Sequence, residues 1–303
     1  MTNSANVIGQ CGLGNMGFAV ATRLATAGPV LAYDPSADRR IAADEIDGVT
    51  KTDSMESLRG LSSVVLSLPT PAISLTVCRQ LSTILDDGAL VIETSTATPA
   101  DVLECAGVLN AKGIGLVDAA ILSGVGLMAA GKSTLLVGGS RADLARAEHI
   151  LEALAPNRQV FGELGAGSAA KVVNNAVAHA VMVVLVEAMA MSAASGIDLG
   201  MIAQILQSDD GGLVRPLTHR VMERVASADF DGGMPMEAAR KDSVLALKMA
   251  QHYDLPLFAI QGAHTVYEIA DRTGLRRLDY SALATLWEEW AGISLSYAQP
   301  TQR

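Results

Sequence analysis

Gly12-Leu13-Gly14-Asn15-Met16-Gly17 closes one apolar run and opens a helical pattern. A glycine hexamer of this kind does its chemistry through the backbone. The first glycine permits a tight turn, the second lets the chain approach a pyrophosphate, and the third lets the helix pack on its strand. The helix N-terminus then offers amide donors to the anion. Asp34 follows 20 residues after Gly14, at the end of the next apolar run. A carboxylate there accepts hydrogen bonds from a ribose 2′-hydroxyl and repels a 2′-phosphate, so the pattern predicts NAD in preference to NADP. Arg39 and Arg40 are near enough to accommodate a phosphate if their loop folds back.

A second group lies in Gly165-Ala166-Gly167-Ser168-Ala169-Ala170-Lys171-Val172-Val173-Asn174-Asn175. Asn174 and Asn175 stand at i+3 and i+4 from Lys171, on one face of a helix. Lys171 is one of six lysines in the chain and sits in an otherwise apolar stretch. Desolvation lowers a lysine's pKa and makes it a usable base near neutral pH. Two neighbouring amides would orient a hydroxyl or a carboxylate without adding charge. On spacing alone, a lysine snorkelling from a helix start between surface amides is an equal reading. His179, two turns further along, reads as a buried or interface residue.

Other chemistry finds little support. His149, His179, His219, His252 and His264 show no metal-ligand spacing, and no metal site is expected. Cys11, Cys78 and Cys105 form no CxxC pair, which suits small apolar residues in a reducing cytoplasm. Asp209-Asp210-Gly211-Gly212 reads as an acidic turn.

The elements that must hold these residues follow from the apolar pattern. Runs at 5–11, 30–33, 63–68, 89–93 and 115–119 read as strands, with further strands at 133–138 and 158–161. Helical stretches at 15–27, 72–85, 100–111 and 142–155 separate them. Apolar strands between helices imply a parallel sheet covered on both faces, the doubly wound α/β architecture of the Rossmann type. Beyond Gly162, Gly165 and Gly167 the pattern is helical: 168–194, 199–207, 213–225, 236–252, 256–273 and 280–290. The expected domains are a nucleotide-binding domain over 1–163 and an all-helical domain over 164–303. Trp287 and Trp290 are expected to pack the last helix.

Of the 303 residues, 50% are apolar and 18% charged, enough for a sizeable core and too apolar for a disordered chain. The net charge of −10 is shared by both halves, and aromatics are 4%, so a nucleic-acid partner is not expected. The segment 172–194 has the length of a membrane span, but Asn174, Asn175, His179 and Glu187 interrupt it. A long buried helix is the expectation, with no membrane partner.

Together these blocks resemble the β-hydroxyacid dehydrogenase family, which includes 3-hydroxyisobutyrate dehydrogenase and tartronate semialdehyde reductase, with 6-phosphogluconate dehydrogenase as a larger relative. The resemblance rests on Gly12–Gly17 with Asp34, on Asp118 to Gly124 continuing to Gly131 and Val137-Gly138-Gly139, on Gly165 to Asn175, and on Lys241-Asp242-Ser243 before Leu255-Pro256. Leu68-Pro69 and Ser95-Thr96 support it. It implies a second domain of the 6-phosphogluconate dehydrogenase C-terminal type, a homodimer or homotetramer, and a small anionic hydroxy acid or semialdehyde as substrate. Lys171 would move the proton of the substrate hydroxyl, and Asn175 would position that hydroxyl or the carboxylate. Ser123, Gly124 and Asn174 would contact substrate, and Lys241 would lie near the nicotinamide end, oriented by Asp242. Leu68, Pro69 and Thr96 would line the cofactor cleft beside Gly12, Leu13, Gly14, Asn15, Met16 and Gly17.

The family pattern Asp-Ala-Pro-Val-Ser-Gly-Gly is not fully kept. Without a gap, Ala120 stands for proline, Leu122 for serine and Ser123 for the first paired glycine. A shift of one residue instead makes Ser123-Gly124 the serine-glycine pair. Either register gives a bulkier, more apolar segment, and with it the expectation of a substrate with a larger or less polar substituent. An imine reductase and a non-catalytic NAD-sensing protein are the alternatives; Lys171 speaks against the first, and Lys171 with the amide pair against the second.

Overall fold

The computed structural model describes residues 7–298. Its first unit runs to Ala176 and its second begins at Val177. In the first, strands β1 (Ile8–Cys11), β2 (Val30–Tyr33), β3 (Val49–Lys51), β4 (Ser63–Leu66), β5 (Leu90–Glu93), β6 (Gly115–Leu122), β7 (Thr134–Gly138) and β8 (Asn157–Gly162) form one sheet. Their order is β3-β2-β1-β4-β5-β6-β7-β8. Helices α1 (Asn15–Leu24), α2 (Ala37–Ala43), α3 (Pro71–Ile84), α4 (Pro99–Asn110), α5 (Val125–Ala129) and α6 (Arg141–Leu154) connect them. Residues 5 and 6 of the first expected strand lie outside the described residues.

The helices begin where side chains can take up their free N–H groups. Thr70 accepts from Ile73 N ahead of Pro71, and Ser140 accepts from Asp143 N. Thr98 and Asp101 form a reciprocal capping box around Pro99. Consecutive strand residues feed opposite faces: Val91 joins one apolar cluster and Ile92 the other. That is why these strands read as unbroken apolar runs.

Two expectations are corrected here. The sheet is not wholly parallel, because β6 and β7 run antiparallel. The connection from Leu122 to Thr134 holds only the short α5, and a parallel return needs a crossover of about a dozen residues or more. Strand β3 and helix α2 were not expected; at three and seven residues they are too short to show an apolar period.

The second unit is helical. It contains α7 (Ala166–Ala194) from Val177 onward, α8 (Leu199–Gln207), α9 (Met236–His252), α10 (Ala259–Arg272) and α11 (Ala284–Ala291). Residues Pro216–Val225 form a π-helix rather than the α-helix expected over 213–225. The expected 280–290 helix divides into a 3₁₀ turn, Tyr280–Leu283, and α11. Asp279, fully buried, ties this region together. It accepts from Met234 N, Ser281 N and Ser281 Oγ, and lies 3.2 Å from Arg220 Nε. Glu187 on α7 accepts from Phe258, Ala259 and Ile260 N–H at the start of α10. Burial pushes its carboxyl up, but these three donors more than offset this and hold it below the ordinary range.

Helix α7 overturns the expectation of burial. It has the length and mean hydropathy of a membrane-crossing helix (1.9), yet only 11% of its most apolar window is buried. Val177, Met182, Val184 and Val186 are exposed, as is His179. Trp287 and Trp290 are exposed as well, with ring centroids 5.4 Å apart.

Candidate active site

The turn after β1 is closed by contacts that only glycine permits. Gly12 has φ +99°, and a Cβ there would meet Ser67 O at 2.1 Å. A Cβ on Gly17 would meet Gly12 O at 2.2 Å. Gln10, fully buried inside β1, donates from Nε2 to Gly12 O (3.0 Å) and Gly17 O (2.7 Å), latching both ends of the hexamer. Gly14 caps α1 with no side-chain acceptor, and the first turn carries no acid. The free N–H groups and positive dipole end of α1 are therefore left open to an anion.

Leu13 is placed differently from its neighbours. Its side chain is buried in the core and its N–H donates to Asp34 Oδ2 at 2.8 Å. Ser36 N donates to Asp34 Oδ1 at 2.9 Å, so the carboxylate is fixed at the end of β2. Arg40 is occupied by Asp34 O, Pro35 O and Asp53. Arg39 instead lines a cavity of about 410 Å³ with Gly12, Gly14, Asn15, Met16, Gly17, Asp34, Leu68 and Pro69. This donor set fits a dinucleotide: amides for the pyrophosphate and a carboxylate for the ribose.

Met16, Ser67 and Leu68 also line a second cavity, of about 220 Å³. Its other walls are Thr94, Ser95, Thr96, Ile121, Ser123 and Lys171. It lies past the carboxyl ends of β4, β5 and β6, where open α/β sheets bind their ligands. Ser95 N donates to Glu93 Oε1 (2.8 Å) while Ser95 Oγ accepts from Leu68 N (2.7 Å), joining the two cavities' shared wall. Burial pushes the Glu93 carboxyl up. Lys171 makes no ion pair among the described residues, and its partial burial holds its ammonium pKa below the ordinary lysine value.

Ile121 and Ser123 line the cavity, two residues apart on one side of the chain, and Leu122 does not. Ser123 Oγ pairs with Ser133 Oγ at 2.8 Å. Gly124 caps α5. Asn174 is exposed and Asn175 half-buried, both outside the cavity lining. Lys241 is exposed on α9 in the helical unit, paired with Asp242 at 2.9 Å. Among the described residues no cluster of His, Cys, Asp or Glu could hold a metal ion. Gln10 and Glu93 were not singled out from the sequence, and Asp118 entered only as part of a family motif. Each is a polar residue inside an apolar strand, and a buried polar group must find a partner; that was the available signal.

Residues 7–165 match the family model described as the NAD binding domain of 6-phosphogluconate dehydrogenase. Residues 165–287 match NAD-binding of NADP-dependent 3-hydroxyisobutyrate dehydrogenase. The chain is 30% identical to 2-(hydroxymethyl)glutarate dehydrogenase of Eubacterium barkeri, over 96% of this chain and 98% of that one. It belongs to the β-hydroxyacid dehydrogenase family. By that membership it is an NAD(P)-dependent oxidoreductase acting on a CH–OH group. Mitochondrial 3-hydroxyisobutyrate dehydrogenase of Rattus norvegicus is 28% identical over 92% of this chain and 86% of that one. An imine reductase from Pseudomonas sp. shares the fold, with a TM-score of 0.82 at 19% identity over 93% of this chain and 99% of that one.

Proposed function

We propose that this dehydrogenase oxidises a small β-hydroxy acid, or reduces its semialdehyde, with Lys171 as the general acid–base. The supporting observation is the position of Lys171 in a cavity that shares a wall with the glycine-loop cavity. Bound NAD would accept the hydride. Lys171 Nζ takes the proton from the substrate hydroxyl oxygen during oxidation and returns it during reduction. The lowered pKa of a desolvated lysine suits both directions. Ser123 Oγ, whose proton goes to Ser133 Oγ at 2.8 Å, turns that proton to the substrate carboxylate when substrate binds. Asn175 orients the hydroxyl or carboxylate from the same helix.

Met16, Leu68 and Ile121 give the cavity apolar walls, which favours a substituent larger or less polar than that of glycerate. The fixed carboxylate of Asp34 favours NAD over NADP. The exposed apolar residues of α7 and α8 support assembly with a second copy, since contiguous apolar surface on a lone chain marks an interaction face.

A substrate panel with NAD and NADP tests this reading. It should contain 3-hydroxyisobutyrate, glycerate, 2-(hydroxymethyl)glutarate, longer 3-hydroxy acids and a cyclic imine. The expected result is NAD-linked oxidation of hydroxy acids, with apolar substituents preferred. Imine reduction without hydroxy-acid oxidation overturns it. Fast turnover of 3-hydroxyisobutyrate or glycerate overturns the substituent preference alone.

A further inference from the structure

Asp118 lies in the middle of β6, fully buried, and takes no part in the chemistry proposed above. Its Oδ1 accepts from Gly165 N at 2.7 Å and its Oδ2 from Ser168 N at 2.6 Å. Both oxygens are therefore spent on the start of α7, whose first N–H groups have no partner within the helix. A carboxylate at this position also complements the positive end of a helix of 29 residues.

The seating leaves no slack. A Cβ on Gly138 would lie 2.6 Å from Asp118 Oδ1 and 2.9 Å from Ala166 N. A Cβ on Gly167 would lie 2.3 Å from Leu136 O. Lys171 follows Ser168 by three residues, a little under one helical turn. Ser123 follows Asp118 by five residues along the same strand and its extension. One strand thus carries both the cavity wall and the clamp on the helix that brings Lys171 to it.

We propose that Asp118 is the positioning residue for Lys171: its buried carboxylate fixes the first turn of α7 on β6, and so sets the depth at which the lysine amine enters the cavity. The inference rests on Lys171 being the acid–base group. Asp118→Asn keeps the size of the side chain but turns an NH₂ toward one of the two N–H donors, so the helix start must shift.

A double-mutant cycle separates positioning from general support of the fold. Asp118→Asn, Lys171→Ala and the double variant are compared in kcat on the best hydroxy acid, with NAD affinity measured by calorimetry. Misplacing a reacting group by about 1 Å costs on the order of 100-fold, so Asp118→Asn is expected to lower kcat by roughly 10- to 100-fold. NAD affinity and kcat in the Lys171→Ala background should each change by no more than about twofold, the range for uncoupled sites. The same loss of kcat in both backgrounds overturns the proposal. If Asp118→Asn does not fold, Gly138→Ala keeps the carboxylate and displaces the helix start. It should lower kcat only where Lys171 is present, and an equal loss in both backgrounds again overturns the proposal. Near-normal turnover by Lys171→Ala defeats the acid–base reading itself, an outcome distinct from equal losses on an impaired Lys171→Ala.

Discussion

The sheet unit and the helical unit solve the burial problem in opposite ways. In the first, apolar side chains fill two clusters, one on each face of the sheet, with Leu13, Ile92 and Ile150 in one and Leu66, Leu81 and Leu109 in the other. In the second, the buried cluster centres on Met236, Ala270 and Leu286, while Met182, Val186, Met201, Ile205 and Leu217 face outward. Both cavities, at the glycine loop and at Lys171, are lined by residues of the sheet unit. The helical unit is tied through buried charge, at Asp279 and Glu187, and leaves these apolar side chains exposed.

Paired substitutions give the largest contrast. Ile92→Ala, deep in the sheet, is expected to cost about 2–5 kcal/mol of unfolding free energy. Ile205→Ala, on the exposed face of α8, should change the stability of a single chain by no more than about 0.5 kcal/mol. It should instead weaken self-association. Denaturant unfolding and sedimentation of both variants check this; an equal stability loss at the two sites breaks the contrast.

Next in size is cofactor choice. Asp34→Asn should reduce the preference for NAD over NADP by about tenfold, the equivalent of ~1.4 kcal/mol for one charged hydrogen bond. The ratio of kcat/KM for the two cofactors reads this directly. An unchanged ratio would shift the selection onto Arg39, the cation that lines the same cavity.

The pH dependence sharpens the assignment of Lys171. Oxidation needs the free amine, so kcat/KM for the hydroxy acid should rise with pH through the lysine's pKa. Burial lowers that pKa, which places the midpoint below the ordinary 10.5. Reduction needs the ammonium and should fall with pH through the same point.

The smallest effect belongs to Lys241. Its exposed pair with Asp242 is worth little to the fold, and Lys241→Ala should shift stability by less than about 0.5 kcal/mol. A fall in kcat/KM at unchanged stability would assign Lys241 to ligand binding, as the family resemblance implies. No kinetic change would leave it a surface pair.

These regions also differ in how far their residues announced them. The glycine hexamer, Asp34 and the first strands were legible because backbone approach and two-faced burial each impose a residue type at fixed spacing. Val30–Tyr33, Leu199–Gln207 and Met236–His252 fall where the apolar pattern placed them. The antiparallel return of β7 was not legible, because the strand expected at 115–119 runs on to Leu122 and so shortens the connection below what a parallel crossover needs. Nor was the exposure of α7: an apolar helix reads the same whether its own chain or another covers it. Lys171 stood out by type, but its place beside Ser95 and Ser123 depends on contacts 48 to 76 residues apart in sequence. Asp118 was visible only as part of a family motif, because the N–H groups it holds belong to a helix 47 residues away.

On the proposed reading, Lys171 moves the substrate's proton in a site held by the sheet unit. The most direct test of this is kcat and NAD affinity of Lys171→Ala on the preferred hydroxy acid. Removal of a general acid–base group should lower kcat by about 10²- to 10⁴-fold while NAD still binds. Near-normal turnover in that variant would contradict the account.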